Sequence, residues 1–195
     1  MMMHHAAAPY TGRRESVLRL CPTLFEAKRI LYIGAKHDRF DFADEMREGK
    51  CSVYVLEAFL PNVTYLRTLP WLKGVIHGDV RDISPGAEIF GNTAFDVVLW
   101  WHGPEHIEGE LLGSVLQRLE AIAKEWVVLG CPWGLYEQGS VGGNPWERHI
   151  SHHYPETYEA LGYSVECLGE TDVKGSNITS VKRRCETSEA ADERR

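Results

Sequence analysis

A carboxylate that directly follows an apolar run is forced to the rim of the sheet that run builds. Glu57 stands so after SVYVL, and three other runs end in residues with chemistry of their own. RILYI closes on Gly34, GVIHG is followed by Asp79, and FDVVLWW by His102. In open α/β sheets ligands bind outside the carboxyl ends of the strands, which is where these residues fall. Gly34 lets the backbone turn sharply and approach a ligand closely. Glu57, roughly 20 residues further on, suits the two hydroxyls of a ribose. Asp79 either accepts from an exocyclic adenine amine or caps the next turn. His102 is placed to act as a general base, with a hydrogen-bonded loop histidine as its plain alternative. In the continuation GPEHI, Glu105 and His106 read as the start of the next helix, with Glu105 matched to its dipole.

Two other patterns carry less. His149 and His153 would share a helix face at i, i+4, with His152 beside them, but no glutamate stands between them and Pro155 follows. No metal ligands are assigned to them. Residues 139–143, GSVGG, precede no Lys-Ser pair and so form no phosphate cradle. They read as a loop over the cleft mouth, with Trp133, Tyr136 and Trp146 offering apolar contacts to a substrate.

The elements that must position these residues alternate. Continuous apolar runs at 29–34, 52–57, 74–78, 95–101 and 126–131 predict strands covered on both faces. Residues 163–168 and 177–182 alternate in polarity like a hairpin. Helices are expected at 16–27, 41–48, 61–72, 110–124 and 155–161, the third broken by Pro70. In 110–124, Leu112, Val115, Leu116, Leu119 and Ile122 form one apolar stripe. Alternating β and α units imply a doubly wound, mostly parallel sheet in a three-layer sandwich. Residues 1–14 read as a flexible leader, 15–184 as one domain and 185–195 as a charged tail.

Composition narrows the function classes. A net charge of −7 and a hydrophobic share of 44% fit a globular protein and disfavour a nucleic-acid partner. Five cysteines lack C-x-x-C spacing, which suggests free thiols in the cytoplasm. No stretch approaches the ~20 apolar residues of a membrane span.

The series IGAKHDR, VLEAF, GDVRD, FDVVLWWHGPEHI and WVVLGCPWG resembles the class I S-adenosylmethionine-dependent methyltransferases, over roughly Arg29 to Lys182. The segment NPWERHISHHYPETYEALGYSVECLG is similar to one that many small members carry before their last two strands. The resemblance implies a seven-stranded Rossmann-like sheet of order 3-2-1-4-5-7-6 with an antiparallel final strand. It implies S-adenosylmethionine as cofactor and methyl transfer to a small-molecule or polar acceptor. Gly34 with Ala35 would lie under the methionine part, and Glu57 with Ala58 would hold the ribose. Asp79 and Val80 would flank the adenine, while Trp101 and His102 would line the cleft beside the methyl group. The family's acidic and glycine motif is altered, with Tyr32 at the acidic position and Lys36 and Asp38 at two glycine positions. That departure motivates an alternative, a binding or scaffold protein that keeps the fold without the cofactor. A nucleotide or nucleotide-sugar enzyme using Glu57 as its ribose ligand is a third reading.

Overall fold

The computed structural model describes residues 12–36, 40–49, 51–86 and 95–184. Helix α1 (Arg13–Leu20) precedes strand β1 (Arg29–Ile33), followed by α2 (Ala43–Glu48), β2 (Ser52–Glu57), α3 (Leu60–Leu66) and β3 (Leu72–His77). Then come β4 (Phe95–Trp101), α4 (Leu112–Ile122), β5 (Ala123–Pro132), α5 (Pro155–Ala160), β6 (Ser164–Leu168) and β7 (Asn177–Arg183). The sheet order is β3-β2-β1-β4-β5-β7-β6, as the resemblance implies. Its first five strands are parallel, and β7 runs antiparallel to both β5 and β6.

The unbroken apolarity of the central strands has a direct cause. Leu31, Ile33, Val98 and Trp100 face one core, together with Leu112, Val115, Leu116 and Leu119 of α4. Ile30, Tyr32, Val97, Leu99 and Trp101 face the other, with Val17 of α1, Met46 of α2 and Leu66 of α3. Successive residues of a strand therefore enter different cores, and neither face tolerates a polar group. Each fully buried aliphatic side chain of α4 contributes ~1.5–3 kcal/mol relative to exposure.

Several boundaries differ from the sequence reading, each for a local reason. The helix expected at 16–27 ends at Leu20, and a separate 3-10 turn covers Leu24–Glu26. Pro22, between them, cannot continue the first helix. Because α1 begins at Arg13, it starts inside the segment read as a leader. Ala123 and Lys124, read as a helix end, belong to β5, where Ala123 pairs with Phe95. Chain termini 1–11 and 185–195 lie outside the described residues.

The carboxyl edge of the sheet is held by backbone ladders that run one residue past the strands. The Gly34 amide donates to Leu56 O at 2.9 Å, and the His102 amide to Gly130 O at 2.7 Å. Gly130 is required by packing, since a Cβ there would lie 2.4 Å from the Trp101 ring. Gly103 is required for the same reason, a Cβ falling 1.7 Å from Trp100 Nε1. The two tryptophans thus fix the turn that carries His102.

Candidate active site

Two adjoining cavities open at that edge. The smaller, about 80 Å³, is lined by Gly34, Glu57, Ala58, Asp79, Val80 and His102, among others. The larger, about 250 Å³, includes Tyr32, Gly34, Trp101, His102, Glu105 and His149 in its lining. Gly34, His102, His106 and Glu147 belong to both. Of the eight residues assigned to catalysis or cofactor binding, seven line this cleft. Ala35 is the exception, being fully buried in the core behind Gly34.

Gly34 has φ 80, a left-handed turn open to glycine at no steric cost. A Cβ there would meet no atom of the described residues within 4 Å. Glu57 is 6% exposed. Its Oε1 accepts the Phe59 amide at 2.7 Å and lies 3.5 Å from Asn62 Nδ2, and the Ala58 amide is a further backbone donor to the carboxylate. Burial raises its pKa from 4.5 to about 7 despite those donors.

Asp79 takes the capping role. Its Oδ1 accepts the Arg81 amide at 2.8 Å at the start of a 3-10 turn (Val80–Asp82). Both of its oxygens also meet the Arg81 guanidinium, at 2.7–3.1 Å. Arg81 further pairs with Glu108 and lies 5.4 Å from the centre of the Trp146 ring. Lys36 does not stand free at its former glycine position, since its Nζ meets Glu147 Oε2 at 3.2 Å. Asp38 lies outside the described residues.

His102 has φ 50, so its backbone is left-handed. Its Nδ1 lies 3.4 Å from Glu105 Oε1, and its Nε2 is buried without a hydrogen-bond partner. Glu105 and His106 form a 3-10 turn (Pro104–His106) rather than the first turn of α4, which starts six residues later at Leu112. That offset turns the Glu105 carboxylate inward, where it is 2% exposed. Burial alone would raise its pKa, but the His102 hydrogen bond and the neighbouring imidazoles outweigh burial and lower it.

The chain between β5 and α5 folds back over this edge. The Gly134 amide donates to His153 O, Gln138 Nε2 to Glu147 O, and the Ile150 amide to Glu105 O. Tyr136 thereby lines the larger cavity and Trp146 the smaller one, as the sequence suggests for aromatics over a cleft. Trp133 packs against the core instead. His149 and His153 are not on a helix, and His153 Nε2 lies 2.9 Å from Ser151 Oγ. The residues that sequence reasoning missed are Glu147 and the grouping of His149 with Glu105. Both depend on a contact across more than forty residues of chain, which no local spacing reveals.

No protein-family model matches the chain, and no curated protein does. Solved structures do match. The N-terminal domain of EvdMO1, determined in the presence of SAH and D-fucose, is 17% identical. The alignment covers 89% of this chain and 82% of that one, with a TM-score of 0.62. The 1,6-didemethyltoxoflavin-N1-methyltransferase of Burkholderia thailandensis, with its namesake ligand and S-adenosylhomocysteine bound, is 15% identical. There the coverage is 90% of this chain and 79% of that one, with a TM-score of 0.60. A SAM-dependent methyltransferase from Archaeoglobus fulgidus is 15% identical over 88% of this chain and 92% of that one, with a TM-score of 0.57. The chain has the fold of these methyltransferases, with the seven-stranded order described above.

Proposed function

We propose that this protein is an S-adenosylmethionine-dependent methyltransferase that acts on a small polar acceptor. The observation that carries the reading is Glu57, a buried carboxylate at the end of β2 that lines the same cavity as the Gly34 turn. Bound S-adenosylmethionine supplies a methyl group already activated on a sulfonium. Glu57 would accept from the ribose hydroxyls, with Ala58 beside it. Val80 and Asp79 would flank the adenine, and the open turn at Gly34 would admit the methionine part. Trp101 walls the larger cavity, which leaves space for an acceptor next to His102.

His102 stands where the two cavities meet, and this suits it to take a proton from an acceptor hydroxyl or amine as the methyl group arrives. Glu105 orients that ring through Nδ1. Holding acceptor and methyl in line is worth ~7–11 kcal/mol without further chemistry. The smaller cavity, at about 80 Å³, is below the ~300 Å³ usual for small-molecule sites. Admission of a nucleoside therefore requires Asn144, Trp146 and Glu147, which line its mouth, to move outward.

The compartment belongs to the same proposal. Cys21, Cys51, Cys131 and Cys167 are free thiols, which fits the reducing cytoplasm. No helix among the described residues is long and apolar enough to cross a membrane.

Calorimetric titration with S-adenosylmethionine and S-adenosylhomocysteine tests the function. One site per chain is expected, with stabilisation of ~2.7 kcal/mol at a hundredfold excess over Kd. Neither heat nor a rise in melting temperature at millimolar ligand would sink the proposal and favour a protein that keeps only the fold.

A further inference from the structure

The larger cavity holds a second constellation, which shares only Glu105 with the His102 pair. Glu105, His106 and His149 bring their ligating atoms within 4.8 Å of one another. Their arrangement is specific at each ring. His149 Nδ1 lies 2.6 Å from Tyr136 O, and His106 Nδ1 lies 3.1 Å from Arg148 O. A carbonyl only accepts, so each Nδ1 carries a proton, and the nitrogen left to ligate a metal on either ring is Nε2. Those Nε2 atoms lie 3.9 Å (His106) and 4.0 Å (His149) from Glu105 Oε1. Such distances are too long for hydrogen bonds. Anchoring of one ring nitrogen by a backbone carbonyl, with the other facing a carboxylate, is how proteins present imidazole to a metal.

The carboxylate supplies an independent observation. Glu105 is 2% exposed, and its Oε2 is buried with no hydrogen-bond partner among the described residues. Its single hydrogen bond among the described residues, to His102 Nδ1, is long at 3.4 Å. A buried carboxylate so poorly bonded is costly unless a positive charge sits beside it. Among the described residues its ion-pair neighbours are three histidines, His102, His106 and His149, with no lysine or arginine beside them.

We propose that Glu105, His106 and His149 form a binding site for one divalent transition-metal ion, such as Zn²⁺. Two imidazoles and one carboxylate suit such an ion better than Mg²⁺ or Ca²⁺, which prefer all-oxygen sets. Ligand bonds of about 2.0–2.2 Å around a tetrahedral ion place donors roughly 3.4 Å apart, so each imidazole need approach the carboxylate by only about half an ångström, and the set, within 4.8 Å, closes by at most about 1.4 Å. All three line the larger cavity, which leaves a coordination position facing it. Three protein ligands and an open position are the pattern of a metal that takes a substrate oxygen. The acceptor class is then one with a coordinating oxygen, a hydroxyl or a carboxylate, beside the methylated atom. That role rests on the methyltransferase reading, whereas metal uptake does not.

The test is titration of the metal-stripped full chain with Zn²⁺ and with Co²⁺, without adenosylmethionine. One ion per chain is expected, with visible Co²⁺ absorption of a nitrogen- and oxygen-ligated site. His106→Gln and His149→Gln should each weaken binding at least tenfold, while His152→Gln, an exposed histidine outside the group, should not. Melting curves of the unliganded variants check that they are folded, and His106→Gln, the more exposed change, keeps the test decisive should His149→Gln unfold. Failure of the parent to bind either ion, or full retention of binding by His106→Gln, would overturn the site. Because no adenosylmethionine is present, that failure is separate from failure of the cofactor titration.

Discussion

Replacing Glu57 by glutamine is expected to make the protein more stable at pH 8 and, at the same time, a poorer ligand for S-adenosylmethionine. Burial holds the Glu57 carboxyl at about 7, against an ordinary 4.5. A group whose folded pKa is raised contributes stability that is complete below its unfolded pKa and is lost as pH rises through the folded value. For Glu57 that window runs from about 4.5 to about 7. At about 1.36 kcal/mol per pH unit, the ionised carboxylate costs the folded state up to ~3 kcal/mol above pH 7. Glutamine keeps an acceptor for the Phe59 amide and carries no charge to bury. The variant should therefore melt higher at pH 8, by roughly 2–4 °C for each kcal/mol, and the difference should close as pH falls towards 4.5.

Binding moves the other way. Hydrogen bonds to a charged group are worth ~1.5–3 kcal/mol each, so losing the charge under two ribose hydroxyls weakens binding by about 10- to 100-fold. In the parent, affinity should rise with pH up to about 7 and then level off, since the hydroxyls donate to the ionised form. Melting curves and calorimetry at pH 5 and pH 8 measure both effects. A variant that binds as well as the parent would remove Glu57 from the cofactor site. One that gains no stability at pH 8 would show that its charge is not strained by burial.

The second large effect is expected at His102. Changing it to alanine should lower kcat by ~10²–10⁴ on any acceptor the parent methylates, the usual span for removing a general base. Cofactor affinity should change little, because the backbone amide of residue 102 keeps its bond to Gly130 O. Glu105→Ala should fall between the parent and that variant, since it removes the group that orients the ring without removing the ring. Single-turnover and steady-state rates with measured cofactor Kd separate these outcomes. An alanine variant that retains parental kcat would make His102 a wall of the cavity and nothing more.

How far the sequence carried these conclusions depends on chain distance. The five parallel strands were legible because their residues feed two cores at once, leaving unbroken apolar runs such as LYI and VVLWW. The positions of Gly34, Glu57, Asp79 and His102 followed, since each closes such a run. Asp79 shows where this stopped: position gave its place at the rim, but its engagement by Arg81 depends on side-chain reach that a strand pattern does not encode. The turn at Pro104–His106 was misread as helix because an acidic residue after proline satisfies helix-start rules equally well. His149 is assigned no metal from the sequence, because no glutamate stands between it and His153 and Pro155 follows. Its partner Glu105 is reached only when the chain between β5 and α5 folds back, through bonds such as that from the Ile150 amide to Glu105 O. Lys36, likewise, gained its partner Glu147 from that same segment.

The most direct measurement is a crystal structure of the protein with S-adenosylhomocysteine. The ribose hydroxyls are expected on Glu57, the adenine beside Val80, and the amino-acid part over the Gly34 turn, with Trp146 and Glu147 displaced outward. Ligand found outside the Gly34–Glu57 cleft, or a cleft that stays closed at saturating ligand, would contradict the assignment.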